Sequence, residues 1–305
     1  MNVQDRIRLM SGTYWALLPS VLESVVAGDV PSHIAAAPRS STRTGAIVVV
    51  PIQGVMTQKG GSSLDDLFGH GGTSSESLGA IMRKLAADDG VGTIVLDVNS
   101  PGGQVNGVEE AADAVFQARS SKRIVAVANT MMASAAYWVA SQAHEIIASP
   151  SSMVGSIGVM AVHEDVSVMA ENLGIKMTVL SAGKHKADGH KFAPLSDEAR
   201  AHEQKLIDGY YSQFVSAVAR GRRVSQQTVR DGMGQGRVFS AKDAVSMGMA
   251  DKVGTFRDSM IASGGMMAFE DLEIVASADG GVVAEFDPEV QHQIERERWE
   301  YAKIG

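Results

Sequence analysis

The sequence predicts an α/β fold with a largely parallel sheet. Two observations carry this reading. Three apolar runs rich in β-branched residues have strand length (Ala46 to Met56, Thr93 to Val98, Arg123 to Asn129), and helical spacing fills the segments between them. Strands buried on both faces read as near-continuous apolar stretches, and strands alternating with helices build parallel sheets.

Ahead of the first strand, Leu17, Leu18, Val21, Leu22, Val25 and Val26 recur at helical spacing, which predicts an amphipathic docking helix over Tyr14 to Val26. Its polar face is not basic, against a membrane-surface role. Early Asp5 and the interruptions at Pro19, Ser20, Glu23 and Ser24 do not make a signal peptide. Asp29 to Gly45, rich in Pro, Ser, Thr and Ala, reads as a linker. A Gly/Ser-rich loop follows the first strand, and its Gly60-Gly61-Ser62-Ser63 lacks the lysine of a phosphate loop. Helices are expected over Ser75 to Ala87 and Val108 to Ala118, and a short one from about Ala133. Strand-like segments follow at Glu145 to Ser149, Ser156 to Val162 and Lys176 to Ala182. A long helix over Ser196 to Arg220 precedes a strand, helix and strand within Arg237 to Val253. The pattern weakens after Gly264, apart from a charged helical end at Pro288 to Lys303. The expected organisation is a helical arm and linker (1–45), one α/β domain (46–262) and a tail (263–305).

Composition narrows the function. A net charge of −8 argues against a nucleic-acid binder. The absence of cysteine excludes disulfides, thiolate metal sites and a cysteine nucleophile. Eight histidines without ligand-like spacing give no metal site. No apolar run approaches the roughly 18–20 residues needed to cross a bilayer.

Three segments at strand ends could carry chemistry, since α/β folds place sites there. In Asn99-Ser100-Pro101-Gly102-Gly103 two glycines let the backbone turn sharply and present N–H groups, one of which can be worth roughly 3–4 kcal/mol to an oxyanion. A plain turn would look the same. In Ala133-Ser134-Ala135-Ala136-Tyr137-Trp138 small residues crowd one serine at a helix N-terminus, leaving its hydroxyl exposed above the positive helix end and Ala135 N–H free to join an oxyanion pocket. An ordinary N-cap serine is commoner. In Ser181 to Gly189 two lysines, Lys184 and Lys186, share a polar loop. A lysine acts as a base only when burial disfavours its charged form, and loop lysines usually face solvent.

Together these segments resemble the signal peptide peptidase A family of serine peptidases. The matching pieces are VNSPGG (98–103), MMASAAYW (131–138), VGSIGV (154–159), SAGKHKADG (181–189) and GRVFSAKDAVSMGMADKVG (236–254), in order within 46–258. The resemblance implies a crotonase-like fold shared with the Clp peptidase subunit, and a cofactor-free Ser/Lys peptidase domain. It makes Ser134 the nucleophile, Lys186 the general base, and the N–H groups of Gly102 or Gly103 and of Ala135 the oxyanion pocket. Lys184 competes, but the family's base lies three residues after the glycine, here Gly183. Many relatives carry an acid directly after that lysine, whereas here Ala187 separates Lys186 from Asp188. The Clp subunit's Ser/His/Asp arrangement would instead use His163 with Asp188 or Asp197, and membrane-linked relatives lack a histidine there.

Within the family the chain looks most like the phage and prophage branch that processes capsids, on Tyr14-Trp15-Ala16-Leu17-Leu18-Pro19 and on AVANTMMASAAYWVAS (126–141). The implied partners are scaffold or other head proteins as substrates and further copies of the chain in a ring or dome, with no nucleic acid or membrane. The implied location is the bacterial host cytoplasm or the procapsid. The tail is too short for a whole scaffold and is expected to be its start or a docking segment. Three alternatives stand beside this: a cytosolic signal-peptide-peptidase-like protease, a non-catalytic capsid assembly or scaffold-binding protein, and a crotonase-type acyl-CoA enzyme. An intact Ser134, Lys186, Gly102 and Gly103 set argues against the second, and the third has no necessary use for Ser134 or Lys186. Small residues around Ser134 suggest a P1 pocket for small or modest apolar side chains.

Overall fold

The computed structural model describes residues 6–7, 10–28, 41–44, 46–60 and 72–263. Most of the linker, the centre of the Gly/Ser-rich loop, the tail and its expected helix lie outside the described residues. The main sheet is built on three parallel strands, β3 (Ile47–Gln53), β6 (Thr93–Ser100) and β8 (Arg123–Ala133). β6 is buried along nearly its whole length, as its unbroken apolar pattern requires. β8 divides its far edge between two parallel partners. Val125–Ala128 pair with β9 (Glu145–Ala148), and Met131–Ala133 pair with β10 (Met153–Gly155). Short antiparallel strands, β2 (Thr42–Thr44) beside β3 and β12 (Val238–Ser240) beside β10, close the ends, and β13 (Lys252–Val253) lies parallel to β9. The linker expectation over 42–44 is therefore replaced by an edge strand.

A second sheet, in the order β11-β1-β7-β4-β5, holds β1 (Tyr14–Leu17), β4 (Met56–Thr57), β5 (Thr73–Ser74), β7 (Gly102–Gln104) and β11 (Met160–Ala161). The run from Ala46 to Met56 is thus two strands. Gly54, with φ 61°, turns the chain from one sheet to the other, a conformation glycine adopts without strain.

One face of the main sheet is covered by α2 (Ser75–Ala87), α3 (Val108–Ala118), α4 (Ala135–Ala140) and the last half of α6 (Asp197–Arg222). Leu78, Met82, Ala112, Val115, Trp138 and Phe214 share that core. A fully buried Val, Leu, Met or Phe among them contributes about 1.5–3 kcal/mol. α6, α7 (Gln226–Gly232) and α8 (Ala241–Ser246) are each started by a serine whose Oγ accepts the third helical N–H, from Ser196, Ser225 and Ser240. α9 (Phe256–Ala262), with a Thr255/Asp258 capping box, puts Met260 against Val95, Val125 and Ile147 on the opposite face.

Further expectations differ from the structure for tertiary reasons. Helix α1 begins at Pro19 (Pro19–Ala27), where proline suits the first helical position, and Tyr14–Leu17 are drawn into a strand by pairing on both edges. Lys176 to Ala182 form no strand, because no described strand pairs with them. They lie with α5 (Ser167–Asn172) in a stretch whose apolar side chains face outward, Leu180 being 91% exposed and Leu173 68%. No helix among the described residues is long and apolar enough to cross a membrane.

Candidate active site

β8 ends at Ala133 and α4 begins at Ala135. The residue between them, Ser134, has φ 55° and ψ −121°, one of few non-glycine residues with positive φ. Such backbone costs of order 1–3 kcal/mol and persists only where the surroundings enforce it. Here they do. Ser134 N–H donates to Gly155 O at 2.8 Å, and Ser134 O accepts from Trp138 N at 2.9 Å. α4 itself is pinned by Tyr137 Oη donating to Met249 O at 3.0 Å and by Trp138 stacked on Phe214, ring centres 4.6 Å apart. Full burial pushes the Tyr137 phenol far up, so it stays a neutral donor. Ala133, Ala135 and Ala136 are fully buried, which explains the small residues around the serine. The sequence predicted an exposed hydroxyl. Instead Ser134 is 1% exposed, and its Oγ is buried without a hydrogen-bond partner among the described residues.

The glycine turn lies against it. A Cβ built on Gly102 (φ 98°) would stand 2.1 Å from Ala16 O, 2.8 Å from Ser134 Cβ and 2.9 Å from Ala135 N. Gly102, the serine, the following amide and the Ala16 carbonyl therefore share one small volume. The two glycine amides differ in direction. Gly102 N–H donates to Ser100 Oγ at 3.2 Å. Leu18 N–H donates to Pro101 O and Val105 N–H to Tyr14 O, flanking the antiparallel register Ala16↔Gly103. Bonded and non-bonded pairs alternate along an antiparallel ladder, so Gly103 is the glycine whose amide faces Ala16.

The remaining sequence candidates lie elsewhere. Lys186 is exposed, and its ammonium has no bond or ion pair among the described residues. Its neighbour Lys184 pairs with Glu198 (2.7 Å), and His185 with Asp188 (2.9 Å). The Lys184 bond is the main cause holding the Glu198 carboxyl below its ordinary range. His163 Nε2 is buried without a hydrogen-bond partner among the described residues. Neither Lys186 nor His163 hydrogen-bonds Ser134 Oγ within the chain, and Asp188 serves His185 rather than His163. Asp197 opens α6. Two contributors were not given roles by the motifs: Gly155, whose carbonyl holds Ser134, and Ala16. VGSIGV contains the first, and only the pairing of β1 exposes the second.

The fold and site define an α/β protein whose buried serine sits at a strained strand-to-helix turn, beside two backbone amides. Its relatives agree with the motifs. Residues 117–264, which hold Ser134 and Lys186, match the model of peptidase family S49. Relatives include MJ0651 of Methanocaldococcus jannaschii (36% identity, 59% of this chain, 58% of that protein), capsid assembly protease C of Escherichia phage lambda (30%, 79%, 56%) and head-tail preconnector protein GP5 of Enterobacteria phage P21 (30%, 68%, 40%). The chain thus spans about half the length of the curated relatives it matches. The resemblance read from five motifs is borne out at the level of the family. Among solved structures, the ClpP1 N165D mutant from Listeria monocytogenes aligns with a TM-score of 0.42 at 16% identity, over 70% of this chain and 94% of that one.

Proposed function

We propose that the protein is a serine endopeptidase acting on phage head or scaffold proteins, with Ser134 as nucleophile and Lys186 as general base. The observation that carries this is Ser134: strained, buried, with a free Oγ beside the Ala135 and Gly103 amides. A strained serine next to paired donors suits acyl transfer, where those donors stabilise the developing oxyanion. Neutral Lys186 takes the Ser134 proton as Oγ attacks the scissile carbonyl. The oxyanion rests on Gly103 and Ala135 N–H, and the protonated lysine passes its proton to the leaving amine. Water then repeats the cycle on the acyl-enzyme. The capsid substrate follows from the lambda relative's name, capsid assembly protease.

Lys186 reaches Ser134 in this reading from a neighbouring copy of the chain. Two observations support that: the Ser134 hydroxyl has no partner among the described residues, and Lys186 sits beyond an exposed segment bearing outward apolar side chains. The exposed loop pair Lys184–Glu198 contributes little energy, since solvent screens it. The test is casein cleavage by wild type, Ser134→Ala, Lys186→Ala and His163→Ala. Loss in the first two variants and survival in the third is expected. Survival of Lys186→Ala with loss in His163→Ala would transfer the base to histidine.

A further inference from the structure

Strand β1 has an unusual setting. It lies between β7 and β11 and runs antiparallel to both, with Trp15, Ala16 and Leu17 opposite Gln104, Gly103 and Gly102, and Tyr14 and Trp15 opposite Ala161 and Met160. Remove β1, and β7 and β11 present two facing strand edges beside Ser134. Unpaired strand edges of this kind capture extended peptides by main-chain bonding, with pockets reading alternate side chains. The occupant's position in this slot is specific. Ala16 O points to Gly103 N–H by the ladder's parity, and it shares the space beside Gly102 with Ser134 and the Ala135 amide. That is where a scissile carbonyl belongs if those two amides receive its oxygen. Beyond Ala16, Leu18 N–H is bound by Pro101 O, and the chain turns into α1.

We infer that β1 is an in-cis occupant of the peptide slot: it holds the Ala16–Leu17 peptide bond at Ser134, and a peptide in trans enters only when β1 leaves. This rests on the reading of Ser134 as nucleophile and adds the occupant. It accounts for the buried hydroxyl, because the chain that covers Ser134 is the one a substrate would replace. It also specifies the ligand class: an extended peptide antiparallel to Gly102–Gln104 with a small side chain at the Ala16 position. Besides its two ladders, side-chain contacts anchor β1. Tyr14 Oη donates to Glu203 at 2.7 Å, Trp15 Nε1 donates to Met10 O at 3.1 Å, and Trp15 and Leu17 pack in a small cluster with Val21, Val25 and Val55.

The chain has no cysteine, so one engineered disulfide is unambiguous. Tyr14→Cys with Ala161→Cys joins residues directly opposite across β1 and β11. Antiparallel partners lie about 4.5–5.5 Å apart at Cα, inside the disulfide range. A fluorescein-labelled peptide with the sequence of residues 11–20 is titrated by anisotropy against the oxidised and the reduced protein, and casein cleavage is measured on the same samples. Oxidation is expected to weaken peptide binding at least tenfold and to slow cleavage in proportion, both restored by reductant. Equal binding in the two forms, or none in either, overturns the occupancy. Redox-dependent binding with no cleavage by either form, or by wild type, upholds the occupancy and sinks the nucleophile reading instead. Leu17→Asp, which places a charge in the small cluster and expels β1, is expected to raise cleavage severalfold, and a fall in cleavage by a variant still folded by circular dichroism counts against the inference.

Discussion

Gly102 and Ser134 are packed so closely that a single added methyl group would place two Cβ atoms 2.8 Å apart. The same methyl would stand 2.1 Å from Ala16 O and 2.9 Å from Ala135 N, which are backbone atoms and cannot swing away. Gly102 also has φ 98°, where any L side chain is strained. Gly102→Ala is therefore expected to destabilise the fold by about 1–3 kcal/mol from backbone strain alone. It should also lower casein cleavage at least a hundredfold by displacing the amides beside Ser134. Calorimetry and initial rates on the same preparation check both. A variant with wild-type Tm and rate would remove Gly102 from the site.

Ser134 itself should trade stability for activity. Its backbone at φ 55°, ψ −121° costs of order 1–3 kcal/mol, and its buried hydroxyl has no partner among the described residues. Ser134→Ala removes an unsatisfied polar group, a gain of about 1–3 kcal/mol. Ser134→Gly adds relief of the backbone strain, offset by roughly 0.5–1 kcal/mol of glycine entropy. Both variants are expected to be inactive, with Tm at or above wild type and the glycine variant at least as stable as the alanine. A Tm below wild type for both would mean that the hydroxyl is bonded in solution.

How far this was legible in the sequence differs by level. Helices α2 and α3 stand where the spacing put them, because their apolar faces repeat cleanly and Ser74 caps α2 by accepting Ser77 N–H. The long strands were legible because burial on both faces leaves an apolar run. Tyr14–Leu17 was not, since four residues carry no decisive period and Leu17 also fits the helical pattern of α1. Its strand state comes from two edges contributed by Gly102–Gln104 and Met160–Ala161, which are distant in sequence. Among the candidate residues, the motifs singled out Ser134 and the glycines, and the amide direction that separates Gly103 from Gly102 needed the ladder. No motif showed that Ser134 Oγ would lack a hydrogen bond to Lys186 among the described residues.

The closing strand–helix–strand element predicts an acid-sensitive lock. Asp251 receives both terminal Arg222 nitrogens at 2.8 and 2.9 Å and Ile146 N–H at 2.6 Å, tying the α6 end and β9 together. Partial burial pushes its carboxyl up, but the Arg222 and Ile146 hydrogen bonds outweigh that and hold it below the ordinary range. A folded-state value below the unfolded one makes this contribution fully present above about pH 4 and lost as pH falls further. Asp251→Asn should lower stability at pH 7 by about 1–2 kcal/mol, discounted because the carboxylate is partly exposed. It should also flatten the loss of stability between about pH 4 and pH 2. Urea midpoints at pH 7, 4 and 3 for both proteins test this, and parallel acid slopes would exclude Asp251 as a contributor.

The segment that carries Lys186 should matter for assembly and not for the fold of one chain. α5 buries no residue, and Val168, Leu173, Ile175 and Leu180 face outward. Side chains this exposed add little to the core, so Leu173→Glu with Leu180→Glu is expected to shift the calorimetric Tm by less than a few degrees. If those side chains are buried against a neighbouring copy, the same change places two charges in that interface and should dissociate the assembly in light scattering. Under the proposed dyad between copies, cleavage should then fall with assembly. A mixing experiment separates this from loss by misfolding. Ser134→Ala and Lys186→Ala chains, each inactive alone, should regain up to about a quarter of wild-type activity when co-assembled at random in equal amounts. That is the fraction of interfaces pairing an intact serine with an intact lysine. The doubly charged pair of leucines introduced into both partners should abolish the recovery. No recovery in the mixed assemblies, with cleavage retained by monomeric protein that keeps both Ser134 and Lys186, would mean that the dyad closes within one chain by movement of the 163–196 segment.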